Sequence, residues 1–189
     1  MRFKINIQKS KVKLVVVMAG VSIVSCDLKQ EKNNMFLYTN ETTSTRVKTN
    51  IEEAKVLSDV VRLNENVIQL AELALKKSET YKVRKISTEL ITEHLKIKEY
   101  LNHLAEKKII LLPGNFDNSD VVKLSGLDGD VFVKAYLNTV FDLAERETNQ
   151  LEYLSKITND VDFKVITVKA LVRLNYNLNQ IKKTIKTDY

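Results

Sequence analysis

The sequence predicts an all-α protein: a bundle of four long helices with one short extra helical turn between the second and the third. Residues that interrupt helices are rare, with one Pro and four Gly among 189 residues. Apolar residues recur every three or four positions, which is the spacing of one helix face. No segment alternates with period two, so a strand would have no partner. Long helices joined by short connections are typical of a four-helix bundle.

The first long helix is predicted over residues 50–78. Glu53 follows Asn50 by three residues, which is where a capping box places its acidic residue. We expect one face of this helix to be buried, because apolar side chains share it. These side chains are Val60, Val67, Ala71 and Ala74.

The second long helix is predicted over residues 80–108, where the periodicity is most regular. Its stripe consists of Val83, Ser87, Leu90, His94, Ile97, Leu101 and Leu104. The segment Leu112-Pro113-Gly114-Asn115 predicts a stop, because proline cannot continue a helix and Pro-Gly favours a turn. A short helical turn is then expected around residues 120–125, closed by Gly126.

The third long helix is predicted over residues 129–156. It begins beside Asp128 and Asp130, and acidic side chains stabilise a helix N-terminus. Its buried stripe is predicted to contain Val133, Leu137, Val140, Ala144, Glu147, Leu151 and Leu154.

The fourth long helix is predicted over residues 159–186, although its beginning is ambiguous. Residues 161–168 are rich in β-branched side chains and by propensity alone could form a strand. A lone strand would have no partner, and a helical face continues beyond the segment. That face consists of Ala170, Leu174, Leu178 and Ile181.

The first 25 residues have the charge order of an export signal. Five basic residues and no acidic residue precede the apolar run of residues 14–24. This run is shorter than the roughly 20 residues that a helix needs to cross a bilayer. The sequence therefore favours a cleaved signal peptide, residues 1–25, over a permanent transmembrane anchor.

The motif Ile23-Val24-Ser25-Cys26 resembles the lipobox of bacterial lipoproteins, in which a small residue precedes a cysteine that accepts lipid. Cys26 is the only cysteine, which excludes an internal disulfide and a cysteine-based zinc site. We expect lipid on Cys26 to hold the protein at a bacterial membrane, with the domain in the periplasm or at the cell surface. We favour the outer membrane, although Asp27 resembles an inner-membrane retention signal of some bacteria.

The mature chain is predicted to divide at about residue 50. Residues 26–49 comprise the lipidated cysteine and a polar segment that reads as a flexible tether, and residues 50–189 form the helical domain. Removal of residues 1–25 lowers the basic residues from 30 to 25 against 24 acidic ones, a net charge of about +1. We therefore expect no nucleic-acid partner.

Four segments resemble a known family: Leu70-Ala71-Glu72-Leu73-Ala74-Leu75, Ile91-Thr92-Glu93-His94-Leu95, Leu104-Ala105-Glu106-Lys107-Lys108 and Phe132-Val133-Lys134-Ala135-Tyr136-Leu137. In order and spacing, over about residues 56–185, they are similar to the ferritin-like domain-of-unknown-function 4142 family of bacterial lipoproteins and outer-membrane proteins. The resemblance implies a ferritin-like bundle.

Members of that family often have acid-His pairs on the second and third helices and a His late on the fourth, an arrangement reminiscent of carboxylate metal sites. Glu93-His94 matches the first pair. Leu143-Ala144 stands at the second pair and Asn177 at the last His. The resemblance therefore implies a site that has lost most of its nitrogen ligands.

The candidate polar core or ligand site consists of Glu93, His94 and Glu147. His94 and Glu147 lie on the stripes of different helices, and a buried structural pair is favoured over a metal site. A di-metal bundle site needs about four carboxylates and two Glu-x-x-His motifs, whereas this chain has two His residues. Asn64 and Asn175 would extend the polar layer by the same periodicity. The second His, His103, falls outside the stripe and is predicted to be solvated.

No motif for a nucleophile, a phosphate-binding loop or a zinc site is present, so we predict no catalytic residue, no metal, no cofactor and no enzyme activity. Two hypotheses follow. One is a non-enzymatic envelope lipoprotein whose bundle has an interaction or structural role, with a protein partner, the cell wall or stress-related cargo. The other is a ferritin-like metal or small-ligand binder using Glu93, His94 and Glu147, with Glu65 or Glu72. The number of ligands favours the first.

Overall fold

The computed structural model describes the backbone of residues 32–188 and the side chains of residues 45–187. By internal contacts the chain divides into Met1–Tyr38 and Thr39–Tyr189, and the packing described below belongs to the second unit. The helices are α1 (Lys32–Lys77), α2 (Tyr81–Lys108), α3 (Ser119–Ser125), α4 (Gly129–Ile157) and α5 (Val161–Asp188). Residues 32–188 contain no strand. The predicted all-α bundle, with α3 as the short extra turn, is confirmed.

The first helix begins earlier than predicted. α1 begins at Lys32, so the predicted start at Asn50 is wrong, and residues 32–49 are helical where a flexible tether was expected. The segment is polar, but it contains no Gly or Pro to end a helix, and a formed helix extends at little cost. Glu53, predicted in a capping box, is instead buried within the helix. The predicted signal peptide and Cys26 lie outside the described residues.

The other long helices begin and end within two residues of their predicted bounds, a difference of the size that helix ends commonly show. The β-branched segment at residues 161–168 is helical, which confirms the prediction. Asp160 stabilises the start of α5, because its Oδ1 accepts the backbone N–H of Asp162 at 2.9 Å and that of Phe163 at 3.4 Å. Among residues 32–188, no helix has an apolar stretch that would reach across a bilayer.

The end of α2 places a branched side chain in a left-handed conformation. Ile109 has φ 57°, and its exposed fraction is 94%. The N–H of Ile110 donates to the carbonyl of Ala105 at 2.8 Å, the closing bond of a Schellman motif. Glycine usually occupies this position, because a Cβ strains the left-handed backbone.

The apolar core consists of two clusters stacked along the bundle. The first cluster combines the later part of α1 with the early parts of α2 and α4, α3 and the end of α5, and includes Val67, Leu70, Leu90, Leu124, Leu143 and Ile181. The second cluster combines the opposite parts of the long helices and includes Leu57, Val61, Ile97, Leu101, Leu151 and Leu174. The predicted stripes are buried, except that Leu178 is only half-buried.

Candidate functional site

A layer of buried polar side chains lies between the two clusters. Each long helix contributes one member, and the polar layer consists of Asn64 of α1, His94 of α2, Glu147 of α4 and Asn177 of α5. The register of α2 shows the arrangement, since Leu90 belongs to the first cluster and Ile97 to the second, with His94 between them. The layer therefore lies at the level where the two apolar clusters meet.

His94 is held by Asn64. The side-chain amide Nδ2 of Asn64 donates to the backbone carbonyl of His94 at 3.1 Å, and Oδ1 of Asn64 lies 2.9 Å from Nδ1 of His94. Because Oδ1 can only accept, Nδ1 of His94 carries the proton and donates it. The two bonds fix the tautomer and the orientation of the imidazole.

Glu147 approaches the same imidazole but is not its hydrogen-bond partner. Oε2 of Glu147 lies 3.5 Å from Nδ1 of His94, which is long for a hydrogen bond. The structure therefore brings together the two residues that the sequence paired. It corrects the expected bonding, because the Nδ1–H of His94 donates its hydrogen bond to Oδ1 of Asn64. A buried donor needs one good acceptor, and the amide oxygen supplies it.

Burial disfavours the charged form of both titratable members of the layer. Burial lowers the pKa of His94 to about 3, and the charge of Glu93 only partly opposes this shift. Burial also raises the pKa of Glu147 well above its ordinary value. Burial therefore disfavours an ion pair between Glu147 and His94, whose atoms Oε2 and Nδ1 lie 3.5 Å apart.

Several buried atoms of the layer have no hydrogen-bond partner among the described protein atoms. They are Nε2 of His94, both carboxyl oxygens of Glu147 and Nδ2 of Asn177. A buried polar atom without a partner costs about 1–3 kcal/mol. These atoms of the layer could therefore form further hydrogen bonds inside the bundle.

Glu93, the third predicted site residue, does not join the layer. Lys96 donates to its Oε1 at 2.8 Å, and Arg173 of α5 donates to its Oε2. Partial burial alone would raise the pKa of Glu93, but the bonds from Lys96 and Arg173 outweigh it and lower the pKa. Glu93 was grouped with His94 in the candidate site, but it lies apart from the layer because adjacent residues point about 100° apart around a helix.

Other candidate residues also lie away from the layer. Glu65 accepts a hydrogen bond from Lys98 at 2.7 Å and Glu72 is exposed. Asn175, predicted to face inward, is exposed. The prediction that His103 is solvated is confirmed.

Asn177 is the buried residue that periodicity should have identified. It lies three positions after Leu174 and four before Ile181, so it continues the core stripe of α5, whereas Asn175 does not. The predicted stripe passed through Leu178 instead. The family resemblance had marked position 177 for a different reason, as the place where relatives carry a His.

The residues present do not fit the carboxylate metal site that the family resemblance implies. Glu93 is engaged by Arg173 at the surface, so only His94, through its free Nε2, and Glu147 remain as buried groups that could be ligands. Metal ligands must be deprotonated carboxylates or free imidazole nitrogens. Within the residues whose side chains are described, no group of three or more His, Cys, Asp or Glu side chains could hold a metal ion.

An open groove of about 620 Å³ lies between α2 and α5 on the surface. Its lining consists of Glu93, Tyr100, Val168, Lys169, Val172, Arg173 and Tyr176. Lys169 and Arg173 lie over the ring of Tyr100, with their charged groups 5.6 Å and 5.9 Å from its centroid. The groove is therefore apolar at its centre with cations beside it.

Comparison with known proteins supports the fold and assigns a family. The crystal structure of a DUF305 fragment from Deinococcus radiodurans is similar, with a TM-score of 0.60 and 10% sequence identity over 71% of this chain and 95% of that chain. At this identity the likeness shows the fold alone. No curated protein sequence matches the chain. The family described as Domain of unknown function (DUF4142) matches residues 39–184. The chain belongs to the DUF4142 family.

Proposed function

We propose that this protein is a non-enzymatic lipoprotein of the bacterial cell envelope, whose helical domain has an interaction or structural role. The observation that supports a non-enzymatic role most strongly is the burial of the polar layer, since His94 and Glu147 are both 0% exposed. A general acid or base must come within hydrogen-bond reach of the proton that it transfers. Neither side chain is open to a substrate, and burial disfavours the charged form of each.

Anchoring through Cys26 is supported by the sequence. The cysteine follows a small residue, an apolar run and a basic segment, in the order that export and lipidation require. Each buried methylene of an acyl chain contributes about 0.8 kcal/mol, so two or more chains hold a protein stably at a membrane. We favour the outer membrane, with the domain in the periplasm or at the cell surface.

Replacement of Cys26 by Ser tests the anchoring directly. We expect Cys26→Ser to abolish incorporation of radiolabelled lipid and to release the protein from the membrane fraction, because this thiol is the only lipid acceptor in the motif. Ser22→Ala, which lies before the motif, is the matched control and should remain lipidated. A Cys26→Ser protein that still behaves as an integral membrane protein would mean that residues 14–24 are an uncleaved anchor.

The buried atoms without a protein partner favour a second candidate function, the binding of a metal or a small polar ligand within the bundle. Plasma mass spectrometry of protein purified without chelator separates the two candidates. A structural layer predicts substoichiometric iron, manganese and zinc. Near one equivalent of a single metal, lost in both His94→Ala and Glu147→Ala, would place the second candidate first.

A further inference from the structure

α5 carries a second apolar stripe on the side that faces away from the core. The outer α5 face, as we call it, consists of Val161, Val165, Val168, Val172 and Tyr176, with exposed fractions between 46% and 71%. Their spacing of four, three, four and four residues places all five on one side of the helix.

Packing of the bundle does not require this stripe. The core side of α5 is formed by other residues, which are buried: Phe163, Ala170, Leu174, Asn177 and Ile181. Single exposed apolar residues are ordinary, but a continuous stripe with polar edges is typical of a surface that contacts a partner or a membrane.

Lysine side chains lie along both edges of the outer α5 face and beyond its C-terminal end. Lys164 and Lys169 are exposed on its two sides, and Lys182 and Lys183 follow it toward the C-terminus. α5 contains six basic residues and two acidic ones. One of the two, Asp162, is already paired with Lys107 at 2.8 Å. Within the part of the chain whose side chains are described, Lys164, Lys182 and Lys183 make no ion pair, so their charge is available to a partner.

We propose that the outer α5 face docks the domain onto an anionic phospholipid bilayer. A helix that combines an apolar stripe with lysines along its edges lies in the interface of a membrane, where apolar groups enter the headgroup region and ammonium groups meet lipid phosphates. Tyrosine is favoured at the same depth because its ring is apolar and its hydroxyl is polar. The positive charge complements anionic lipid specifically.

The same charges disfavour a second copy of the chain as the occupant. A two-fold contact brings the same surface patch of both molecules together. Lysines such as Lys164 and Lys183 from both copies would then lie around one interface, while α5 has only two acidic residues to balance its six basic ones. Docking onto lipid goes beyond the anchoring at Cys26 and does not depend on it, because the surface belongs to the folded domain.

The chain contains no tryptophan, so one tryptophan introduced by substitution reports on the contact without background fluorescence from others. The experiment uses the full-length Cys26→Ser protein, so that acylation plays no part, with Tyr176→Trp on the outer α5 face. Tyr153→Trp is the matched control, because Tyr153 lies on α4 and donates to Glu52 of α1, on another side of the bundle. The probes are vesicles of phosphatidylcholine, alone or with an equal amount of phosphatidylglycerol, each containing brominated lipid.

With the anionic vesicles, we expect emission of Tyr176→Trp to move to shorter wavelength and to be quenched by bromine, while Tyr153→Trp changes little. Lys164→Glu with Lys183→Glu should weaken the response more than tenfold, because each basic residue near an anionic surface contributes roughly a factor of five. Lys55→Glu with Lys76→Glu, the same change of charge on exposed sites of α1, should not weaken it.

Equal quenching at positions 176 and 153, or an equal response to neutral vesicles, would overturn the proposal. So would a wavelength shift of Tyr176→Trp that depends on protein concentration and needs no vesicles, which would identify a second copy as the occupant. If the unmodified protein incorporates no lipid in cells, only the anchoring at Cys26 is contradicted, so the two proposals fail separately.

Discussion

Asn64 binds His94 twice, through the backbone carbonyl at 3.1 Å and through Nδ1 of the imidazole at 2.9 Å. The pair joins α1 to α2 at the level where the two apolar clusters meet. It also fixes His94 in one tautomer without a carboxylate as acceptor, while burial lowers the pKa of the imidazole to about 3. The polar layer is thus organised around an amide and an imidazole.

Replacement of Asn64 by Leu should lower the free energy of unfolding by about 1–3 kcal/mol, because it leaves the buried N–H of His94 without an acceptor. Urea denaturation followed by circular dichroism measures the change. Asn138→Leu, on the exposed side of α4, is the matched control and should change stability by less than about 0.5 kcal/mol. Equal stability of Asn64→Leu and the unmodified protein would mean that the pair contributes nothing.

Replacement of Glu147 by Gln should stabilise the protein progressively as pH rises above 4.5. The unfolded carboxyl loses its proton near 4.5, whereas burial keeps the pKa of folded Glu147 well above that value. The folded state therefore binds more protons, and stability falls with rising pH until the folded group ionises. Glutamine does not titrate, so its advantage should grow roughly tenfold in the unfolding equilibrium constant per pH unit within this window.

Glu145→Gln, exposed on the same helix, controls for the loss of a carboxylate in this pH series. His94 acts in the opposite direction, because its folded pKa of about 3 lies below its ordinary 6.5. Its contribution is complete above pH 6.5 and is lost as pH falls toward 3. A constant difference between Glu147→Gln and the unmodified protein from pH 5 to pH 8 would show that Glu147 is not held in its neutral form.

Replacement of Ile109 by Gly should raise the free energy of unfolding by about 1 kcal/mol. The left-handed conformation at φ 57° costs a branched residue about 1–2 kcal/mol, part of which is offset by the greater chain entropy of unfolded glycine. Thermal unfolding measures the shift. Leu111→Gly, equally exposed in the following loop, should not stabilise the protein, and a lower midpoint for Ile109→Gly would show that the conformation carries no strain.

Periodicity predicted the buried faces but not the bonds between them. The α2 stripe, from Val83 to Leu104, is buried as expected, and His94 falls on it because the spacing of three and four is regular. The partner of His94 could not be predicted in the same way. Spacing gives the direction of a side chain around its own helix, whereas the choice between Asn64 and Glu147 depends on how α1, α2 and α4 are rotated against one another.

Composition was a weaker guide at the start of α1. Residues 32–49 were expected to form a tether because they are polar, yet a helix with no interruption extends through them. Polarity shows that a segment does not belong to the core, and it says little about backbone conformation. Residues 161–168 show the converse. They are rich in β-branched residues with weak helix propensity, yet they are helical, and Phe163 and Thr167 are buried by packing.

The free energy of unfolding of His94→Ala, measured with chelator and again with added iron, manganese or zinc, tests the structural role of the polar layer most directly. We expect a loss of about 2–4 kcal/mol, because the substitution leaves a cavity in the core and the side chain of Asn64 without its imidazole partner. The loss should be the same under all conditions. A loss that appears only when metal is present would contradict a structural layer and show that His94 is a ligand.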